Sequence, residues 1–95
     1  MHYALGVVII EFQLNMSASL KDKRTEIKGL IRKLSNKFNV SLAEIAYQDL
    51  WQRCGIGVTC ISSERAIADA VLEQAIRFVE ENINGNILEI RKEHF

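Results

Sequence analysis

The sequence predicts an α+β fold in which two helices pack on one face of a four-stranded antiparallel sheet, with elements in the order βαββαβ. Three observations predict it. Two stretches, 20–38 and from about 64 to 82, repeat their apolar residues with the helical period. Four other stretches are rich in Val, Ile and Leu and too short or too continuous to be amphipathic helices. Their order along the chain makes two βαβ halves, and right-handed crossovers then set the strands side by side as 4-1-3-2 in a ferredoxin-like two-layer sandwich. A chain of 95 residues makes one such domain, residues 1–95, with a core that is adequate but thin.

His2 to Leu14 is too uninterrupted in its apolar residues for a strand with one wet face, so it reads as a central strand. Within it, Ala4–Ile10 is too short for a signal peptide or a membrane span. Asn15–Ser19 follows as a polar turn. Ser19 is suited to cap a helix, and Asp22 three residues later completes a capping-box pattern. From Leu20, the residues Ile27, Leu30, Ile31, Leu34 and Phe38 share roughly 100° of helical arc with it, and Gly29 lies opposite. Asn39 is the expected stop.

Val40–Tyr47 and Cys54–Ile61 are the second and third strands, joined through Gln48–Arg53. Ser62 or Ser63 is expected to cap the second helix, which runs to about Asn82. Its apolar residues cover about half the circumference, more than one sheet contact needs, so the excess must meet the first helix or a partner. Asn84-Gly85 signals a turn, and Ile87–Glu93 is the last strand.

This topology brings residues 15–24, 47–53 and 82–86 to one end of the molecule. The expected composite surface there includes Lys23, Gln48, Asp49, Trp51 and Arg53.

Twelve basic and twelve acidic residues cancel, so any electrostatic message lies in their distribution. Residues 20–38 carry seven cations against Asp22 and Glu26, a local charge of +5, while residues 63–82 sum to −3. Lys21, Arg24, Lys28 and Arg32 recur every three or four residues and line one flank of the first helix. Such a stripe beside a helix N-terminus suits phosphate groups, and these four residues are the candidate nucleic-acid contacts. Solvation of an outer helix face explains the same charges equally simply.

Lys23 and Arg24 fall at or near the apolar arc, where a cation must snorkel or find an anion. Asp49 is the expected anion by topology. In Tyr47–Arg53, two aromatics, a carboxylate, two amides and a guanidinium occupy seven residues, a composition that suits a binding hot spot or base stacking. The simpler expectation is that Trp51 closes the end of the core while Asp49 and Arg53 fasten the hairpin.

The first strand offers apolar residues on both faces, yet the helices can cover one. Leu5, Val7 and Ile9 are therefore the candidate dimer face.

An enzyme is not expected. His2 and His94 lie where strands one and four could bring them together, but terminal histidines seldom act as ligands. Asp49 or Glu11 could serve as a general base only beside a second catalytic group, and none is identifiable. Gly55-Ile56-Gly57 lacks the context of a phosphate loop. Cys54 and Cys60, roughly 20 Å apart if on one strand, are out of disulfide reach and read as buried thiols suited to the cytoplasm. They also lack zinc-ligand spacing, and no metal or cofactor is predicted.

The stretch Ser19-Leu20-Lys21-Asp22-Lys23-Arg24, with Phe38-Asn39-Val40-Ser41 and Gln48-Asp49-Leu50-Trp51-Gln52-Arg53, resembles the YlxP-like family, a bacterial family of unknown function. The resemblance covers essentially the whole chain, through Arg77-Phe78-Val79-Glu80-Glu81. It implies a ferredoxin-like fold, no established activity, and genes often found beside those for translation initiation and ribosome-binding factor A. Tyr47 stands where the family often has histidine.

The expectation is a non-catalytic, cytoplasmic, dimeric binding module that contacts RNA or a ribosomal subunit and no membrane. A homo-oligomeric structural module is the alternative, and a small-ligand-binding or enzymatic domain the third possibility.

Overall fold

The computed structural model describes residues 1–15 and 17–95. Its elements are β1 (Ala4–Leu14), α1 (Leu20–Lys37), β2 (Ser41–Ala46), β3 (Arg53–Ser62), α2 (Arg65–Asn82) and β4 (Gly85–His94). They form one antiparallel sheet in the order β2-β3-β1-β4, as the crossovers require. The expected turn over Asn15–Ser19 includes Met16, which lies outside the described residues.

The central strand alternates as a half-covered strand must. Ala4, Val8, Ile10, Phe12 and Leu14 are buried beneath the helices, while Leu5, Val7 and Ile9 point to the open face and are half-buried. Gly6 continues the buried row without a side chain because α2 comes close. A Cβ there would stand 2.8 Å from Leu72 Cδ1. On β3, Cys54, Ile56, Val58 and Cys60 continue the same buried layer, and both thiols are free.

Helix α1 begins as its sequence directs. Ser19 Oγ accepts from the Asp22 N–H at 3.1 Å, and Asp22 Oδ2 accepts from the Ala18 N–H at 3.4 Å. Ile27, Leu30 and Leu34 are buried against the sheet, and Leu20, Ile31 and Phe38 flank them. The helix ends at Lys37, with Phe38 as the extended cap, one residue before the expected stop.

Helix α2 corrects one expectation. Glu64, not Ser62 or Ser63, occupies the N-cap, and its own side chain makes no capping hydrogen bond. Ser62 is still the last residue of β3, paired with Ala4, so its hydroxyl reaches only the Glu64 N–H, at 3.3 Å. The surplus apolar arc of α2 meets α1. Phe78 lies edge-on to Phe38, centroids 6.0 Å apart, and Lys37 Nζ stands 5.1 Å from the Phe78 ring centre. Ile67 remains 48% exposed.

Gly85 begins β4 rather than completing a turn. A Cβ at that position would lie 1.6 Å from the Gln13 carbonyl oxygen, so only glycine lets β4 approach β1 there. Among the described residues, no helix is long and apolar enough to cross a membrane.

Candidate functional site

The first turn of α1 and the hairpin between β2 and β3 are locked together by a lysine. Lys23 is 1% exposed, and its Nζ lies 2.9 Å from Glu44 Oε2 while donating to the Tyr47 carbonyl. This corrects two expectations. Lys23 belongs to the interior, not to an accessible end surface, and its anion is Glu44 rather than Asp49. The reason is the strand period. Glu44 shares the helix-facing side of β2 with Leu42, directly beneath the entering helix, whereas Asp49 lies beyond the strand on an exposed turn.

The Cys54 thiol donates to the same Glu44 carboxylate at 3.6 Å. Burial, and then the Glu44 charge, push that thiol up to about 12, which removes it from nucleophilic chemistry near neutrality. Burial likewise raises Cys60.

Segments 15–24, 47–53 and 82–86 meet at the end where β1 finishes. The Leu14 N–H donates to the Gln52 carbonyl at 2.9 Å, the Asn15 N–H to the Asn84 carbonyl at 2.8 Å, and Gln52 Nε2 to the Ser17 carbonyl at 3.3 Å. Tyr47 opens the hairpin with φ at 59°, the left-handed region that few non-glycine residues adopt. Its carbonyl is the one that Lys23 holds.

Trp51 does not close the core. It is 52% exposed, as is its neighbour Leu50 at 50%. Hydrogen bonds from the flanking backbone hold the hairpin base without needing the indole. Gln48 Nε2 reaches back to the Glu44 carbonyl at 3.4 Å, and Asp49 is exposed with no ion pair among the described residues.

Arg53, expected at the end surface, turns instead onto the open sheet face. Its guanidinium stands 4.7 Å from the Tyr47 ring centre and 3.4 Å from Glu11 Oε1. Glu89 completes this cluster. The Tyr47 hydroxyl, then Glu89 and Arg53, hold the Glu11 carboxyl below the usual carboxylate range. Glu11 in turn raises both Tyr47 and Glu89. Two carboxyls so close share their proton demand, and the cluster staples three strands at the polar end of the open face. Its sequence signal was weak, because the members come from three separate segments and meet only once the strand register is known.

Toward the other end the open face becomes apolar. Leu5, Val7 and Ile9 run along β1, opposite Ile61, Thr59 and Gly57 of β3. Ile45 closes over Gly57, where a Cβ would stand 3.3 Å from Ile45 Cδ1.

Lys21, Arg24, Lys28 and Arg32 are all exposed along α1, and among the described residues none has a carboxylate within ion-pair distance. At the far end of the sheet, His94 Nδ1 lies 2.9 Å from Arg65 Nη1 and 3.7 Å from Asp69 Oδ1, so its side chain is engaged with α2.

Residues 5–92 match the family described as protein of unknown function (DUF503). The uncharacterized protein YlxP of Bacillus subtilis strain 168 is 41% identical over 76 residues, spanning 80% of this chain and 83% of that protein. Among solved structures, the de novo designed protein Foldit4 superposes with a TM-score of 0.54 over 97% of both chains, at 13% identity. The designed Ferredog-Diesel gives 0.50 over 94% of this chain and 83% of its own, also at 13% identity. Likeness at that identity speaks for the fold alone.

Proposed function

This chain belongs to the DUF503 family, and from that premise we propose that it is a non-catalytic binding module whose basic α1 flank contacts structured RNA or a ribosomal particle. The observation that carries this reading is a juxtaposition. The Lys23–Tyr47 and Gln52–Ser17 hydrogen bonds fix the N-terminal turn of α1 to the hairpin, so exposed Lys21 and Arg24 share one end of the molecule with exposed Trp51. A row of exposed cations beside an exposed indole suits a phosphate backbone and an unstacked base. Lys21, Arg24, Lys28 and Arg32 would contact phosphates, and Trp51 and Gln48 would orient or stack. Arg53 is engaged with Glu11 and Tyr47 and drops out of that role.

The test is RNA affinity as a function of salt. Four phosphate contacts give a slope of roughly three log units of affinity per log unit of salt. Arg24→Glu with Lys28→Glu should cut that slope by about half, with the fold intact because both side chains are exposed. Binding that ignores salt and both substitutions contradicts the reading.

A second reading, a protein-interaction module, draws on the apolar end of the open sheet. There Ile61 and Ile45 are 56% and 49% exposed beside half-buried Leu5, Val7 and Ile9. It predicts salt-tolerant association that Val7→Lys abolishes.

A further inference from the structure

Strand β4 is an edge of the sheet, ten residues long, and among the described residues its outer backbone groups face no other strand. Long edges of this kind are normally blunted by proline, by charges or by a bulge. The chain contains no proline. A register shift does fall where Leu88 is extra, between the Glu11–Glu89 and Phe12–Ile87 pairs, but beyond it β4 runs regularly from Glu89 to His94. Lys92, the one lysine on the strand, is held by Glu73 of α2 and so is drawn over the sheet rather than across its edge. Helix α2 lies over β1 and β3, leaving Leu88 47% and Ile90 38% exposed.

The order of charges on this edge fits itself. In an antiparallel pair of two β4 strands, a two-fold axis through Ile90 sets Ile90 against its own copy, and sets Glu89 opposite Arg91 twice. Both of those residues lie on the open face, since Glu89 pairs with Glu11 and Arg91 with Ile9. Moving the axis one residue toward the N-terminus brings Glu89 against Glu89. Moving it one residue the other way brings Arg91 against Arg91 and Glu89 against Glu93. One register alone among these pairs opposite charges and joins like apolar residues. The other edge offers nothing comparable, because β2 is six residues long and carries Glu44 without a basic residue to answer it.

We propose that β4 pairs edge to edge with β4 of a second copy, Ile90 on the two-fold axis and Glu89 of each copy facing Arg91 of the other, to give one continuous eight-stranded sheet. The interface leaves the α1 flank free, so it stands whether or not that flank binds RNA.

The test is the mass of the full chain by light scattering and sedimentation equilibrium at high micromolar concentration, with a charge swap. The wild type should be a dimer. Glu89→Arg alone and Arg91→Glu alone each set like charges opposite one another and should weaken the dimer by roughly tenfold or more. The double variant Glu89→Arg, Arg91→Glu restores opposite pairs and should restore the dimer. Circular dichroism on each variant separates loss of pairing from loss of fold. Independently, Ile90→Cys should form an intermolecular disulfide on mild oxidation, because a residue on the axis meets its own copy within bridging distance, whereas Glu93→Cys should not. A wild-type monomer overturns the proposal. So does a dimer that shows neither charge-swap rescue nor the Ile90→Cys bridge, which would place the contact on another surface such as Leu5, Val7 and Ile9.

Discussion

Lys23 and Glu44 form a nearly dry ion pair, Nζ to Oε2 2.9 Å, that joins α1 to β2 at the base of the hairpin. The lysine is 1% exposed and the glutamate 20%, and a second N–H of the ammonium goes to the Tyr47 carbonyl. Removing one member of such a pair strands the other, and removing the lysine also releases the left-handed Tyr47 from its anchor.

Lys23→Met should therefore cost about 2–4 kcal/mol, at the lower side for a buried pair because Glu44 retains some water. Pairing it with Glu44→Leu should recover part of the loss. Urea denaturation checks both. A loss below about 0.5 kcal/mol, the usual range of surface changes, would mean that the pair does not hold the hairpin.

Trp51→Ala should change stability by less than about 0.5 kcal/mol, since half of the residue faces solvent. The fluorescence of the native chain should peak near that of free tryptophan and shift little on unfolding. A blue-shifted native spectrum would place the indole in the core after all.

Cys54 offers a chemical check on the same locus. In a Cys60→Ala background, thiol labelling near neutrality should be at least roughly a hundredfold slower in the native than in the unfolded chain, since a thiol near 12 holds almost no thiolate. Equal rates would show that the Lys23–Glu44–Cys54 layer opens freely.

The carboxyl pair on the open face gives a pH prediction. Glu89 is raised in the folded chain by Glu11 and eased by Arg91 and Arg53, so its ionised form opposes folding. Glu89→Gln, measured at dilution low enough to keep the chain monomeric, should melt higher than wild type at neutral pH. The gap should close as pH falls through the raised Glu89 value toward the ordinary carboxylate 4.5, where the wild-type carboxyl is neutral too. Glu11 has the opposite sign. Its lowered value contributes stability above the ordinary range that is lost as pH falls through the folded one. A gap that widens on acidification would contradict the assignment.

The element order was legible because each period was unambiguous. The arc Leu20–Phe38 could only be a helix, and Ser19 with Asp22 marked its start. Topology brings Asp49 to the same end as Lys23, but the strand period decides the partner. The alternation Leu42–Glu44–Ala46 placed a carboxylate on the helix-facing side, and that signal was present. For Trp51 the sequence offers two places, the end surface and the end of the core, and its neighbours Gln48, Asp49 and Gln52 describe the wet loop in which the exposed indole stands. The Glu11–Tyr47–Arg53–Glu89 cluster depends on pairing register, including the shift at Leu88, which no single segment encodes.

Phosphate contact by the α1 flank is tested most directly by sedimentation of the tagged protein from a bacterial lysate through a sucrose gradient, at low and at high salt. Binding through the basic α1 flank predicts co-migration with a ribosomal subunit at low salt that is lost at high salt, and lost at both in the Arg24→Glu, Lys28→Glu variant. A protein that stays at the top of the gradient at every salt concentration, or one whose co-migration ignores those two substitutions, would contradict it.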